Sequence, residues 1–249
     1  MLVAEGVSKS FGGPPVVQDV SFTLTRGAIT GLIGPNGAGK TTLFNCLAGS
    51  LKPSAGRITL DGVRIDGLRP DQVFGHGLAR TFQIPKPFPA MTVLENVMLA
   101  PPGQLGERFW TNWLRPGAVA AEERRIRDRA RHWLDFVGLT RLAQEPARVL
   151  SGGQRKLLEL ARVLVAEPRL ILLDEPGAGV APPLLETIME KIEVLNAQGT
   201  SFLIIEHNME LVTRLCRPVL VLAQGRLLLE GAPEEVKRDP RVIEAYLGA

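Results

Sequence analysis

The sequence has few cysteines, little net charge and no long apolar run. Cys46 and Cys216 are the only cysteines, which argues against a disulfide framework and indicates a reducing compartment. The 29 basic and 26 acidic residues leave a formal charge of +3, too small to indicate nucleic acid as a partner. No apolar stretch approaches the roughly 18 residues of a membrane-spanning helix, and the first residues lack a signal-peptide pattern. We therefore expect a soluble cytoplasmic chain that binds no nucleic acid.

What the chain does have is the composition of an ordinary globular protein. Its 249 residues are 45% hydrophobic and 22% charged, and internal repeats and low-complexity segments are absent. Short continuous apolar runs alternate with helical stretches, which is typical of parallel strands covered on both faces. We predict an α/β fold with buried strands at residues 28–33, 170–173, 202–205 and 219–222.

The middle of the chain has a different character. Proline and glycine bracket an aromatic segment at 109–114, and a charged helix follows. One face of this helix is predicted to be apolar and consists of Ile126, Ala130, Trp133, Leu134 and Val137. The arginine-rich run at 124–129 is either a basic docking surface or a solvated helix face, and its acidic neighbours favour the solvated face. We interpret residues 84–164 as a mostly helical subdomain inserted between the core segments 1–83 and 165–249.

A phosphate-binding motif lies between the strand predicted at residues 28–33 and a predicted helix. Residues 34–41, Gly-Pro-Asn-Gly-Ala-Gly-Lys-Thr, fit the pattern G-x-x-x-x-G-K-[ST] at every constrained position. Glycines let the backbone wrap around phosphates, Lys40 can reach the β- and γ-phosphates, and the Thr41 hydroxyl can bind Mg²⁺. A glycine-rich turn that binds nothing is the alternative, and the strand–loop–helix order disfavours it. The predicted phosphate-binding residues are Gly34, Pro35, Asn36, Gly37, Ala38, Gly39, Lys40, Thr41 and Thr42.

Two acidic residues follow the apolar strand at 170–173. Asp174 is expected at the carboxyl edge of the sheet, where ligands collect, and can hold a metal ion directly or through water. Glu175 is a candidate general base for the attacking water. Alone, this pattern is usually a strand end; combined with the phosphate loop, it predicts hydrolysis of a nucleoside triphosphate.

The segment 150–154 indicates which class of nucleoside triphosphate hydrolase the chain resembles. Its sequence is Leu-Ser-Gly-Gly-Gln, with Ser151 as a good helix N-cap. Together with the phosphate loop and the strand–acid pair, it resembles the signature of the ABC (ATP-binding cassette) ATPases, and the resemblance covers essentially the whole chain. It implies the P-loop ABC ATPase fold, with a RecA-like core, an antiparallel β subdomain and an inserted helical subdomain. ATP and Mg²⁺ are the expected ligands.

The resemblance also assigns roles to single residues. Gln83 matches the glutamine that senses Mg²⁺ and the attacking water, and His207 matches the switch histidine that contacts the γ-phosphate. Phe11 matches the aromatic residue that stacks on adenine, with Val16 beside it. Taken one at a time, a surface glutamine, a helix-cap histidine and a core phenylalanine are the alternatives. The predicted catalytic residues are Lys40, Glu175 and His207, and the predicted metal-binding residues are Thr41, Gln83 and Asp174.

The family's architecture implies partners. Two cassettes pack head to tail, so Ser151, Gly152, Gly153 and Gln154 are expected to serve the nucleotide of the other subunit. One chain here carries one cassette. We therefore expect a second ABC ATPase subunit, as a homodimer or a sister heterodimer, together with integral-membrane permease subunits and, indirectly, a substrate-binding protein. The chain would then lie peripherally on the inner face of the cell membrane.

Four segments, at 33–45, 77–83, 206–209 and 244–248, are similar to the larger ATPase subunit of branched-chain amino acid importers. The aromatic insertion around Trp110 and Trp113 is typical of that subunit. Related importers of urea or short amides and a lipopolysaccharide-type exporter are alternatives. A soluble ABC ATPase acting on DNA or ribosomes is a further one, although the short segment between Gln83 and Ser151 leaves no room for a long coiled coil.

The sequence leaves two questions open, namely the effect of Ala181 and the role of the aromatic insertion. The family usually places Asp or Asn before the proline of the loop after Glu175, whereas this chain has Ala181 before Pro182. Because alanine has no hydrogen-bonding side chain, we predict weaker cross-talk between the two ATP sites without loss of hydrolysis. The aromatic residues Phe109, Trp110 and Trp113 either pack the insertion onto its own subdomain, which is the favoured interpretation, or line a groove for a permease helix.

Overall fold

The computed structural model describes residues 1–81, 86–107 and 109–247. These form two compact units. The core unit contains the described residues of Met1–Gln83, Arg169–Ala178 and Leu185–Ala249, and the helical unit contains those of Ile84–Pro168 and Gly179–Leu184. No helix within the described ranges is long and apolar enough to cross a membrane.

The elements are the following, in chain order. The strands are β1 (Leu2–Lys9), β2 (Val17–Leu24), β3 (Ile29–Ile33), β4 (Ala55–Leu60), β5 (Val63–Arg64), β6 (Leu78–Arg80), β7 (Leu170–Asp174), β8 (Ser201–Ile205), β9 (Val219–Ala223) and β10 (Arg226–Gly231). The helices are α1 (Lys40–Leu47), α2 (Pro70–Gly75), α3 (Val93–Met98), α4 (Phe109–Leu114), α5 (Pro116–Phe136), α6 (Gly152–Leu164), α7 (Pro182–Ala197), α8 (Met209–Leu215), α9 (Pro233–Val236) and α10 (Pro240–Leu247).

The larger sheet of the core unit is mostly parallel and has the strand order β10-β9-β3-β8-β7-β6. Only β10 runs antiparallel to its neighbour. Every residue of β3, β7 and β8 is buried, because such strands are covered on both faces. The predicted α/β class and the four predicted strands are confirmed.

The smaller sheet is antiparallel, with the order β2-β1-β4-β5. Burial alternates along β2, as expected for a strand with one face on the core and one in water. Its inner face shares a hydrophobic core with α1, where Leu43, Phe44 and Leu47 are fully buried. Cys46 and Cys216 are free and buried.

In the helical unit, α5 buries one stripe and exposes its charged side. Ile126, Ala130, Leu134 and Val137 are at most 3% exposed, while Trp133 is half-buried at the edge of the stripe. The arginines of the run at 124–129 are exposed or half-exposed. The interpretation of that run as a solvated helix face agrees with this burial.

Helix α4 departs from the prediction. Its apolar side chains Phe109, Trp110, Trp113 and Leu114 are 68%, 72%, 79% and 78% exposed, so the interpretation that the tryptophans pack the insertion onto its own subdomain is wrong. On the other side of the helix, the Asn112 side-chain amide donates a hydrogen bond of 2.9 Å to the Gly106 carbonyl. This short helix buries none of its residues, and its apolar side faces solvent.

Candidate active site

The motif at 34–41 spans the loop after β3 and the first two residues of α1. Close contacts require glycine at two of its positions. Gly34 has a φ of 151°, and a Cβ there would lie 2.0 Å from the Leu222 carbonyl oxygen. Gly39 has a φ of 96°, and a Cβ there would lie 2.6 Å from the Val16 carbonyl oxygen. The backbone therefore enters α1 in a tight curve, and the N–H groups in the first turn of a helix favour an anion.

Lys40 is the first residue of α1, and its side chain lies over the loop. The ammonium group donates hydrogen bonds to the carbonyl oxygens of Gly34, at 2.7 Å, and Pro35, at 2.9 Å. Burial lowers the pKa of Lys40, and the negative charges of Glu175 and Asp174 oppose that shift. A buried ammonium among carbonyl oxygens is a ready partner for phosphate oxygens.

Asp174 ends β7 and is 5% exposed. The Arg80 guanidinium donates a hydrogen bond of 3.0 Å to its carboxylate and another to the Asn45 side chain in α1. Arg80 thus connects the acid at the end of β7 with the helix that follows the phosphate loop. The sequence does not predict this role of Arg80, because the pairing of β6 with β7 is set by the tertiary structure.

Glu175 and His207 follow the neighbouring strands β7 and β8 and meet at the carboxyl edge of the sheet. The His207 Nε2 atom lies 3.2 Å from a Glu175 carboxylate oxygen. Glu175 has a φ of 49°, an uncommon value for a residue with a side chain, and its N–H donates to the Ile205 carbonyl at 2.9 Å. The structure therefore places the predicted base and switch histidine in contact.

Phe11 and Val16 lie in the connection between β1 and β2. The Phe11 ring is 61% exposed, and Val16 is 36% exposed, so the alternative of a core phenylalanine is wrong. The Lys9 ammonium lies 5.2 Å from the ring centroid. The ring is free to stack, and adenine stacking stays a prediction.

The segment 150–154 lies in the helical unit, at the start of α6. Ser151 and Gln154 form a reciprocal cap, in which each side chain accepts the backbone N–H of the other, at 3.3 and 2.9 Å. A Cβ on Gly153 would lie 1.9 Å from the end of the Leu184 side chain, so a larger residue there would displace that side chain. Gln83 lies outside the described residues, and its predicted role is untested.

The C-terminal helix α10 borders the phosphate loop. A cavity of about 800 Å³ is lined by Asn36 and Gly37 on one side and by Arg241 and Glu244 on the other. Burial raises the pKa of the Tyr246 phenol, while the Gly34 backbone acts in the opposite direction. For residues 244–248, the sequence analysis predicts only a family resemblance. It does not predict that this helix lies beside the phosphate loop.

The residues present fit Mg²⁺ bound together with a nucleotide. Within the described ranges, no group of three or more His, Cys, Asp or Glu side chains could hold a metal by itself. Magnesium in nucleotide sites takes one or two protein oxygens together with phosphate oxygens and water. The Thr41 hydroxyl and the Asp174 carboxylate are oxygen donors of that kind.

Comparison with known families gives two matches. The family described as ABC transporter matches residues 17–178. A second family, described as branched-chain amino acid ATP-binding cassette transporter, matches residues 226–249, which include α10.

Curated relatives match over the full length. The high-affinity branched-chain amino acid transport ATP-binding protein LivG of Salmonella typhimurium is 41% identical over 100% of this chain and 98% of its own. The corresponding protein BraF of Pseudomonas aeruginosa is 38% identical over the same shares.

Solved structures of ATP-binding cassettes are similar to this chain over nearly its full length. The crystal structure of a nucleotide-free ATP-binding cassette from an ABC transporter has a TM-score of 0.86 and 36% identity, covering 100% of this chain and 99% of that one. A dimeric cassette in a post-hydrolysis state, bound to ADP and Pi, has a TM-score of 0.78 and 27% identity, covering 94% and 99%. The phosphate loop, the acid pair and the signature segment thus lie on a fold shared with these proteins, and the chain belongs to the ATP-binding cassette family of ABC transporter ATPases.

Proposed function

We propose that this chain is the ATP-hydrolysing subunit of an importer for branched-chain amino acids, acting through permease subunits on the inner face of the membrane. The contact of 3.2 Å between Glu175 and His207, beside the buried ammonium of Lys40, supports the hydrolytic role. The substrate class rests on the names of LivG and BraF and on the family match of residues 226–249.

The chemistry follows from these side chains. Lys40 holds the β- and γ-phosphate oxygens of ATP, while Glu175 accepts a proton from the attacking water. The water oxygen bonds to the γ-phosphorus as the bond to the β,γ-bridging oxygen breaks, which leaves ADP and inorganic phosphate. The Thr41 hydroxyl and the Asp174 carboxylate would hold Mg²⁺, which would supply charge neutralisation at the phosphates when bound. His207 orients Glu175 and contacts the γ-phosphate.

Hydrolysis is proposed to take place between two cassettes. The dimeric relative bound to ADP and Pi supports a sandwich in which Ser151, Gly152, Gly153 and Gln154 of one subunit serve the nucleotide of the other. The capped start of α6 presents these residues on a helix N-terminus, which favours an anion. A sister ATPase or a second copy of this chain completes the pair.

The test is steady-state ATPase activity and size-exclusion chromatography of the wild type beside Glu175→Gln, both with ATP and Mg²⁺. We expect the variant to bind ATP, to accumulate as a dimer and to hydrolyse at least about 10²-fold more slowly, because it lacks the general base. Near-normal turnover would remove Glu175 from that role. If neither protein dimerises, a sister subunit is required, and co-purification identifies it.

The substrate class needs the assembled transporter. In proteoliposomes with its permease subunits and binding protein, we expect leucine, isoleucine or valine to stimulate ATP hydrolysis. Stimulation by urea or a short amide in place of these would assign the chain to the related group of importers.

A further inference from the structure

The side chain of Glu206 connects two loops of the core unit. Glu206 follows β8 and is 3% exposed. One carboxylate oxygen accepts the Gly177 N–H at 2.7 Å. The other oxygen accepts the His207 N–H at 2.9 Å and the Asn208 N–H at 3.1 Å.

These hydrogen bonds belong to different loops. Gly177 lies in the loop that begins with Glu175, after β7, whereas His207 and Asn208 lie in the loop after β8. The side chains of Glu175 and His207 meet at 3.2 Å. The carboxylate of Glu206 therefore joins, through backbone amides, the same two loops that this contact joins through side chains.

The local geometry is specific for this carboxylate. A Cβ on Gly177 would lie 2.8 Å from the Glu206 oxygen, so glycine at 177 is what lets the carboxylate approach the backbone. A buried carboxylate is stable only when its oxygens are hydrogen-bonded, and three amide donors satisfy it. Conversely, removal of the carboxylate leaves three N–H groups without their acceptor.

Glu175 depends on such support. Its φ of 49° is a conformation that persists only where surrounding contacts fix it. One such contact is the hydrogen bond from its N–H to the Ile205 carbonyl, and the bridge through Gly177, two residues further on, is another. The loop conformation that aims Glu175 at His207 is thus fixed at both ends.

We propose that Glu206 is a positioning residue for hydrolysis. Its carboxylate holds the loop that begins with Glu175 against the loop that contains His207, so that the general base and the switch histidine stay in contact. This proposal rests on the roles of Glu175 and His207 given above. It assigns to Glu206 no contact with the nucleotide, so its loss should reduce turnover more than ATP binding.

The test is Glu206→Gln, which keeps the length of the side chain but turns an NH₂ group toward amide donors. We expect kcat to fall by about 10- to 100-fold, as for a catalytic group displaced by about 1 Å, while the Kd for ATP stays within about twofold. Glu210→Gln, the same change on an exposed residue of α8, should behave as the wild type.

Amide hydrogen exchange tests the contact itself. In Glu206→Gln, exchange at Gly177, His207 and Asn208 should accelerate, while the amides of β8 stay protected. Unchanged exchange at these three positions would overturn the proposed bridge. Accelerated exchange with a wild-type kcat would overturn its catalytic relevance.

The double variant Glu206→Gln with Glu175→Gln separates positioning from a general loss of structure. If Glu206 acts through Glu175, the double variant should hydrolyse ATP no more slowly than Glu175→Gln alone, because residues that act as a unit are non-additive. Multiplied losses would overturn the proposal and leave the role of Glu175 standing. Near-normal turnover of Glu175→Gln alone would instead remove Glu175 from the role of general base, and the positioning role of Glu206 would fall with it.

Discussion

At the scale of single residues, the motif lysine is held by the loop that defines the motif. Lys40 donates to the carbonyl oxygens of Gly34 and Pro35, and burial disfavours its charge while Glu175 and Asp174 favour it. Phosphate oxygens can take over these donors, since an ammonium–phosphate hydrogen bond is stronger than one to a neutral carbonyl.

The first prediction concerns this lysine. Lys40→Ala should weaken ATP binding by about 10- to 100-fold, because a hydrogen bond to a charged group contributes about 1.5–3 kcal/mol. Titration of a fluorescent ATP analogue measures the change. Lys237→Ala, at an exposed site after α9, is the matched control. Equal affinity in both variants would contradict the role given to Lys40.

At the scale of elements, α4 differs from α3, α5 and α6 because it buries none of its residues. Helices α5 and α6 bury their apolar residues, whereas α4 buries none and exposes two tryptophans. With the packing interpretation overturned, docking of a permease helix onto this side stays as the prediction made from the sequence. Such an exposed apolar side is typical of an interaction surface.

The second prediction follows from that exposure. Trp110→Ala combined with Trp113→Ala should leave the melting temperature and the basal ATPase rate unchanged, because exposed side chains contribute little to stability. Co-purification with the permease subunits should fall. Trp133→Ala, at the half-buried edge of α5, is the contrasting control and should lower the melting temperature. An unfolded double variant would restore the packing interpretation.

At the scale of the whole molecule, the cassette is proposed to be one half of a pair. The core unit carries the phosphate loop and the acid pair, and the helical unit carries the signature segment, which is proposed to serve the other subunit's nucleotide. Communication between the two sites then depends on residues near the loop after Glu175. Ala181 has an exposed side chain there, and its carbonyl accepts the Leu184 N–H at 3.0 Å at the start of α7.

The third prediction concerns this position. Ala181→Asn should raise the cooperativity of ATP hydrolysis, because asparagine supplies the hydrogen-bonding side chain that the family usually has there. The Hill coefficient of the steady-state rate measures it. Ala181→Val adds volume without a polar group and should leave the coefficient at the wild-type value. An unchanged rate and coefficient in Ala181→Asn would show that this position does not limit cross-talk.

Features that depend on the local order of residues along the chain could be predicted without the structure. Continuous apolar runs predicted the buried parallel strands, and the spacing of Gly34, Lys40 and Thr41 predicted the strand–loop–helix unit, because hydrophobic periodicity and turn chemistry act over a few residues. The resemblance carried by 150–154 predicted the family. The same reasoning placed Asp174 and Glu175 at a strand end.

Contacts between residues that are distant in the sequence could not be predicted, because they depend on how the strands are arranged in the sheet. Arg80 and Asp174 come together because β6 and β7 are neighbours in the sheet, and Glu206 reaches Gly177 because β7 and β8 are neighbours as well. Strand order is set by packing across the whole core, so a one-dimensional pattern does not reveal it. The exposure of α4 is not visible in the sequence for a related reason: its composition is that of a core helix, but the folded chain buries none of its residues.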